Sequence, residues 1–284
     1  METLLSILKK TTGYFEKFGI ENPRLDAELL IAHVLHCKRM QLYLDFEKPM
    51  SEAVLDALRP LMKRRANREP LQYILGTESF MDFELKVDRR ALIPRPETEE
   101  LIEHITPREQ QLQGAIRILD LGTGTGAIAI ALARAYSQAT VIAADISSDT
   151  LDLARENIVA LGLSDRIQLI QSDWYTNVKG SFDLIVSNPP YLSEEELKTA
   201  APEVSAHEPV GALVAGPKGM ECIEVLIGQS PQYLKPGGAM YLETGAEQSN
   251  AIHGIVAALP ALTCEILKDL SGKHRFVRLT LAQQ

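Results

Sequence analysis

The residues with the clearest chemical potential form the run Asn188-Pro189-Pro190-Tyr191, which follows the apolar segment Phe182–Ser187. A proline after Asn188 biases that residue towards extended backbone, and the second proline fixes the chain again. The run would therefore present two rigid acceptors, the side-chain carbonyl of Asn188 and the main-chain carbonyl of Pro189. A planar NH2 group has two donors to offer such a pair, and Tyr191 would add an aromatic wall. We expect Asn188, Pro189 and Tyr191 to be catalytic, and Pro190 to help bind the substrate.

A glycine-rich run, Asp120–Ala127, stands between a predicted strand and a predicted helix. Glycines allow a sharp turn and a close approach of a ligand to the backbone, and the helix N-terminus beyond them favours an electron-rich group. Asp145 ends the next predicted strand, where a carboxylate commonly binds a ribose diol. The pattern predicts a nucleoside-containing cofactor over the carboxyl ends of these strands. Its expected binding residues in the loop are Gly122, Thr123, Gly124, Thr125 and Gly126.

The glycine run alone does not identify the cofactor. Gly122, Gly124 and Ala127 also satisfy the dinucleotide pattern G-x-G-x-x-G/A. An NAD-dependent dehydrogenase is therefore an alternative on this evidence. That alternative assigns no function to the Asn188–Tyr191 run.

Asp173-Trp174 follows another predicted strand. Asp173 could accept a hydrogen bond from an adenine amino group, and Trp174 could stack on the ring. Positions beyond strand ends are where ligands of α/β proteins bind. The competing interpretation is that the only tryptophan of the chain packs in the core.

Other candidate residues carry weaker signals. His33, His36 and Cys37 include metal-ligand types but have no second cluster, so we expect no metal site. The three cysteines are far apart and form no C-x-x-C pair. The basic run Lys63–Arg68 is interpreted mainly as a solvated helix face.

Strands and helices alternate from residue 116 onwards, which indicates an α/β fold with a mostly parallel sheet covered on both faces. Residues 1–70 have helical periodicity and predict a small helical bundle, and residues 71–92 predict a β-hairpin linker. Residues 93–284 would form the second domain. The strands are predicted at Ile116–Leu121, Thr140–Asp145, Ile167–Gln171, Phe182–Ser187, Ala239–Glu243, Leu262–Lys268 and Phe276–Leu281, with further short strands at Tyr73–Gly76 and Phe80–Val87.

Composition and charge restrict the functional classes. The chain has 284 residues, 45% hydrophobic residues and a formal net charge of -9. Nucleic-acid binders usually carry a basic face, so we expect no direct nucleic-acid partner. No apolar run reaches the roughly 18–20 residues that cross a bilayer, and the N-terminus does not resemble a secretory signal. We expect a cytoplasmic protein without a membrane partner.

With these motifs, the sequence resembles the release factor glutamine methyltransferase family. The resemblance covers nearly the whole chain and is carried by Leu71–Gly76, Ile93–Glu99, Asp120–Ala127, Asn188–Tyr191 and Glu208-Pro209. It implies a class I S-adenosylmethionine-dependent methyltransferase, with a Rossmann-like sheet of seven strands, the last reversed. It also implies a helical N-terminal substrate-recognition domain. The implied activity is methylation of the side-chain nitrogen (N5) of the Gly-Gly-Gln glutamine in peptide chain release factors, by a monomer that releases S-adenosylhomocysteine.

The resemblance also implies roles for individual residues. The loop Gly122–Gly126 and Asp145 would hold the methionine and ribose parts of the cofactor, with Asp173 and Trp174 beside the adenine. Asn188–Tyr191 would bind the glutamine amide, and Asn188 would also border the cofactor. Two departures stand out: Met81-Asp82 replaces a common glycine in the hairpin, and Pro217-Lys218 replaces a common acidic residue after Gly216.

Two further alternatives stay open at this point. An adenine-amino methyltransferase acting on nucleic acid would use the same Asn188–Tyr191 clamp for an exocyclic NH2 group. A non-catalytic module that binds translation factors could retain the pocket without the transfer.

Overall fold

The computed structural model describes residues 2–112 and 114–282. The chain forms two compact units. Unit 1 contains Met1–Thr77 and Ala201–His207, and unit 2 contains Glu78–Ala200 and Glu208–Gln284. Each unit has its own buried apolar cluster.

Unit 1 is helical. Thr3 and Ser51 cap two of its helices, since each side chain accepts a hydrogen bond from a first-turn backbone N–H. Its core is formed by side chains such as Leu8, Phe15 and Leu30. The helices are α1 (Leu4–Lys17), α2 (Pro23–Val34), α3 (Glu52–Ala66) and α4 (Leu71–Leu75), with a 3-10 helix at Arg39–Leu44.

The basic run of α3 is not the solvated face that the sequence suggested. The Arg65 side chain is buried and donates to Asp26 at 2.7 Å and to Glu203 at 3.0 Å. Arg68 donates to the other oxygen of Glu203 at 2.7 Å. The interpretation was wrong because a single helix pattern does not reveal acidic partners that are distant in sequence.

The strand predicted at Tyr73–Gly76 is also wrong. These residues belong to α4, which ends where Gly76 takes the left-handed conformation at φ +81°. The hairpin consists of β1 (Thr77–Phe80) and β2 (Phe83–Lys86). Met81 begins the turn between them at φ +53°. The predicted second strand therefore starts three residues later than expected.

Unit 2 is built on a sheet with helices along its strands. Its strands are β3 (Arg117–Leu121), β4 (Thr140–Asp145), β5 (Ile167–Gln171), β6 (Phe182–Ser187), β7 (Leu192–Ser193), β8 (Val214–Gly216), β9 (Leu234–Glu243), β10 (Leu262–Lys268) and β11 (His274–Leu281). Its helices are α5 (Pro96–Arg108), α6 (Ala127–Ala135), α7 (Ser148–Ala160), α8 (Glu194–Thr199), α10 (Glu221–Gln229) and α11 (Ser249–Ala257), with 3-10 helices at Val210–Ala212 and Ser230–Gln232. Unit 1 receives α9 (Pro202–His207) from this part of the sequence.

The main sheet has seven strands in the order β10-β11-β9-β6-β3-β4-β5. β11 is antiparallel to both of its neighbours, and the pairs β9-β6, β6-β3, β3-β4 and β4-β5 are parallel. This confirms the seven-stranded, mostly parallel sheet with a reversed last strand. β7 and β8 form a separate parallel pair. None of the helices in the described residues combines the length and the apolar character that crossing a bilayer requires.

A buried asparagine fastens the hairpin to the glycine loop. Asn157 of α7 donates to the carbonyl oxygens of Lys86 at 3.1 Å and Thr125 at 2.9 Å. The Lys86 N–H donates to the Asn157 Oδ1 at 2.8 Å. One side chain thus satisfies three backbone groups and fixes the position of the loop.

Candidate active site

A cavity of about 410 Å³ lies in unit 2, at the carboxyl ends of the central strands. β3 ends at Leu121, β4 at Asp145 and β6 at Ser187, and residues at or just after all three ends contribute to its wall. Parallel pairing brings these ends together at one edge of the sheet. The cavity therefore lies where the sequence predicted a ligand.

Four of the five predicted loop residues, Gly122–Thr125, line this cavity, whereas Gly126 is not among the residues of its wall. Gly122, Gly124 and Gly126 have φ values of +72°, +57° and +86°, a region that residues with a Cβ seldom adopt. A Cβ built at Gly124 would meet no atom within 4 Å, and one at Gly122 would lie 3.6 Å from the Trp174 ring. The glycines are thus required by the turn itself, and the space above Gly124 is open to a ligand.

Two carboxylates organise the loop. Asp120 is fully buried, accepts from the Thr123 hydroxyl at 2.6 Å and from the Ala129 N–H at 3.2 Å, and burial raises its pKa to about 7. Asp145 accepts from the backbone N–H groups of Gly124 and Ser147, each at 3.1 Å. A carboxylate has about four acceptor sites, so Asp145 keeps capacity for a ligand hydroxyl.

The Trp174 side chain, which the sequence predicted beside an adenine ring, contacts the apolar core and also borders the cavity. Trp174 is half-buried, has a left-handed φ of +44°, and packs against the apolar cluster of unit 2. It also forms part of the cavity wall, as does Asp173. Ile146 is 64% exposed and lines the same cavity. A flat apolar ligand would remove both Trp174 and Ile146 from water.

The Asn188–Tyr191 run is only partly at the cavity. Asn188 and Pro190 line it, whereas Pro189 and Tyr191 are not among the residues of its wall. The backbone carbonyl of Tyr191 accepts from the Gln248 side chain at 2.9 Å. Burial raises the pKa of the Tyr191 phenol to about 12, so this group stays neutral at ordinary pH.

Two residues that sequence reasoning missed hold the Asn188 side chain. The Asn188 Nδ2 donates to the Thr98 Oγ1 at 3.0 Å, and the Thr98 hydroxyl donates to the Glu243 Oε2 at 2.7 Å. Glu243 is 1% exposed, and burial raises its pKa to about 7. A buried carboxylate at the end of a predicted strand is the one signal that could have indicated Glu243.

An ion pair joins two of the sequence motifs that carry the family resemblance, Ile93–Glu99 and Glu208-Pro209. Arg95 donates to both carboxylate oxygens of Glu208, at 2.6 and 2.7 Å. Burial raises the pKa of Glu208 from its ordinary value, and the Arg95 charge opposes that shift. Arg95 itself lines the cavity, and so does Pro209, the residue after Glu208. The pair fixes this part of the cavity wall.

No group of three or more potential metal ligands occurs among residues 2–112 and 114–282. His33, His36 and Cys37 all belong to unit 1. The cavity wall offers carbonyls, hydroxyls and carboxylates, together with apolar surface, to an organic ligand.

Two family models match this chain. Residues 6–76 match the family model "PrmC N-terminal domain", and residues 96–204 match "Methyltransferase small domain". The release factor glutamine methyltransferase of Chlorobaculum tepidum is 42% identical over 282 residues, which cover 96% of this chain and 95% of that protein. The corresponding protein of Rhodopirellula baltica is 38% identical over 293 residues, with 99% and 97% covered.

A solved structure supports the fold independently. A methyltransferase from Pyrococcus furiosus superimposes with a TM-score of 0.54 at 19% identity, covering 78% of this chain and 99% of that one. Together with the match to the methyltransferase domain, the seven-stranded sheet with its reversed last strand places the chain in the class I S-adenosylmethionine-dependent methyltransferases. At full-length identities of about 40%, the chain belongs to the release factor glutamine methyltransferase family. The dehydrogenase alternative is thereby excluded.

Proposed function

We propose that this protein transfers a methyl group from S-adenosylmethionine to the N5 nitrogen of the glutamine in the Gly-Gly-Gln motif of peptide chain release factors. The observation that carries the proposal is that Asn188 and the glycine loop line one cavity. A donor held by the loop and an amide held by Asn188 would meet there. The full-length similarity to named release factor glutamine methyltransferases supports this choice of substrate.

The residues present fit the proposed cofactor. The open backbone at Gly124 suits the methionine part, Asp145 suits the ribose diol, and Trp174 with Ile146 suits the adenine ring. S-adenosylmethionine, when bound, supplies an electrophilic methyl group on a sulfonium. The other requirements of the reaction fall to the side chains and backbone of this chain.

The difficulty of the reaction lies in the acceptor. The nitrogen of a carboxamide is a poor nucleophile because its lone pair is delocalised into the carbonyl. The Asn188 Oδ1, on the cavity wall, would accept from an N–H group of the substrate amide and stabilise the positive charge that develops on nitrogen. The sequence paired it with the Pro189 carbonyl, but Pro189 is buried and is not among the residues of the cavity wall, so we assign this role to Asn188 alone. This role is electrostatic preorganisation combined with orientation, and it requires no strong base in the ground state. The nitrogen releases one proton once the methyl group has been transferred.

The experiment is incubation of the protein with S-adenosylmethionine and a purified release factor, followed by mass mapping of the factor. We expect one added methyl group, on the Gly-Gly-Gln glutamine, with equimolar S-adenosylhomocysteine. A factor in which that glutamine is replaced by alanine is the matched control and should stay unmodified. Methyl transfer to DNA or RNA instead would support the adenine-amino alternative. Stable complex formation without product would support the non-catalytic one.

We further propose that the helical unit recognises the release factor, while unit 2 binds the cofactor. The support is the separate family match of residues 6–76 and the position of the cavity, whose described wall residues belong to unit 2. Hydrogen exchange on the intact protein tests this. Added release factor should protect amides in Leu4–Ala66, and added cofactor should protect the loop Gly122–Gly126. Protection by the factor confined to unit 2 would contradict the proposal.

A further inference from the structure

The Asn188 side chain ends a short chain of hydrogen bonds. Its Nδ2 donates to the Thr98 Oγ1 at 3.0 Å, and that hydroxyl donates to the Glu243 Oε2 at 2.7 Å. Thr98 lies in the first turn of α5, and Glu243 is the last residue of β9. The two side chains are 4% and 1% exposed, so water does not compete for these bonds.

The direction of the bonds follows from the single proton of a hydroxyl. An ionised carboxylate only accepts, so the Thr98 proton must point to Glu243. The Thr98 oxygen is then an acceptor towards Asn188, and only the NH2 end of that amide can satisfy it. The Asn188 Oδ1 is consequently directed away from Thr98.

We propose that Thr98 and Glu243 are positioning residues that fix which end of the Asn188 amide meets the substrate. The inference rests on the proposed function, in which the Asn188 Oδ1 accepts from the substrate NH2 group. If Glu243 is protonated on Oε2, the oxygen that contacts Thr98, it donates to the Thr98 oxygen. The Thr98 proton then turns to the Asn188 Oδ1, and the amide turns over. Its NH2 group would then oppose the NH2 group of the substrate, donor against donor.

The groups around Glu243 place its protonation, and with it the rotation of the Asn188 amide, near neutral pH. Burial is the largest influence and raises its pKa, and Glu97 from α5 acts in the same direction. The Thr98 hydrogen bond, Arg275 from β11 and Arg95 before α5 lower it, and the neutral Tyr191 phenol is close enough to feel the Glu243 charge. The resulting pKa is about 7. Methyl transfer should therefore decline as the pH falls through about 7.

The kinetic test uses two substitutions at one position. Thr98→Val removes the hydroxyl at nearly constant volume and should lower kcat by about 10- to 100-fold, the range expected for a misplaced catalytic group. The affinity for S-adenosylmethionine, measured by calorimetry, should stay within about twofold. Thr98→Ser restores the hydroxyl and should recover most of kcat. Thr106→Val is the matched control, because the Thr106 hydroxyl in the same helix only donates to the Ile102 carbonyl.

A second readout does not depend on methyl transfer. In protein labelled with 15N-asparagine, the side-chain NH2 signal of Asn188 is identified by its loss in Asn188→Ala. In the wild type its protons should exchange slowly at pH 8, and the signal should move as the pH is lowered to 6. Thr98→Val should abolish the slow exchange. Glu243→Gln should abolish the pH step, whereas Glu265→Gln, at an exposed position on β10, should keep it.

The outcomes separate the two proposals. If the wild type fails to methylate release factor but the Asn188 signal behaves as described, the proposed substrate is wrong and the orientation by Thr98 and Glu243 is upheld. If the wild type methylates but Thr98→Val retains full kcat and slow exchange, the inference is overturned. A Thr98→Val variant that loses activity without recovery in Thr98→Ser also overturns it.

Discussion

The role of Asn188 follows from two features, its hydrogen bond to Thr98 and its position on the cavity wall. One end of its amide is held by Thr98, and the side chain lines the cavity that the glycine loop also borders. We predict that Asn188→Ala lowers kcat by about 10²–10³-fold, as the loss of a preorganised polar group does in other enzymes. Cofactor affinity, measured separately by calorimetry, should change little. Near-normal turnover in this variant would refute the role assigned to Asn188.

Asp145 has the complementary role on the cofactor side. Its carboxylate accepts from the backbone N–H groups of Gly124 and Ser147, and the residue lines the cavity. We predict that Asp145→Ala weakens S-adenosylmethionine binding by about 10- to 100-fold, which is the loss of one or two charge-assisted hydrogen bonds. Asp149→Ala, an exposed substitution in the first turn of α7, is the control. An unchanged dissociation constant for Asp145→Ala would remove the ribose assignment.

The site residues that sequence reasoning found are those placed by local rules. Gly122–Gly126 and Asn188 each follow a recognisable strand and Asp145 ends one, and the sheet topology brings the strand ends together. Thr98 and Glu243 were missed because their contact joins residues 145 positions apart. Thr98 lies within the motif Ile93–Glu99, but that motif does not indicate a contact with Glu243, so only the tertiary structure reveals the partner of Thr98.

Among the secondary-structure elements, several strands of the main sheet were predictable from the sequence. The short helices and strands that follow Tyr191 were not. The bounds of β4, β5, β6 and β10 agree with the predicted ranges to the residue, because apolar residues recur through each of these short segments. The sequence analysis assigned no element between residues 192 and 216. That stretch contains short helices and two strands of two and three residues, lengths at which periodicity carries no information.

The Asn157 hydrogen bonds that attach the hairpin to the glycine loop should make a measurable contribution to the free energy of unfolding. Asn157→Ala would leave two carbonyls and one N–H without their partner in a buried place. We predict a loss of about 1–3 kcal/mol in the free energy of unfolding, measured by urea denaturation. Asn177→Ala, at an exposed asparagine, should change it by less than about 0.5 kcal/mol. Equal effects of the two substitutions would show that Asn157 does not fix the hairpin.

For the whole molecule, two buried carboxyls make stability depend on pH. Burial raises the pKa values of Asp120 and Glu243 to about 7, from ordinary values of 3.8 and 4.5. Between those values and about 7, the folded protein holds protons that the unfolded chain releases. The free energy of unfolding should therefore fall as the pH rises through this window, and level off above about 7.

Glu243→Gln tests that dependence because it removes one of the two titrations. We predict that the variant is more stable than the wild type at pH 8, by up to about 3 kcal/mol, and that the difference shrinks towards pH 5. Urea denaturation at several pH values measures both. Glu265→Gln should follow the wild type at every pH. If Glu243→Gln followed the wild type as well, the buried carboxyl would not be raised in pKa.

The central claim is that a carboxamide nitrogen of a release factor accepts the methyl group. The most direct measurement is NMR of a factor labelled with 15N in its glutamine side chains, after reaction with S-adenosylmethionine carrying a 13C methyl group. We predict a one-bond 13C–15N coupling at a single glutamine, that of the Gly-Gly-Gln motif. A methyl signal without that coupling, or at any other residue, would contradict it.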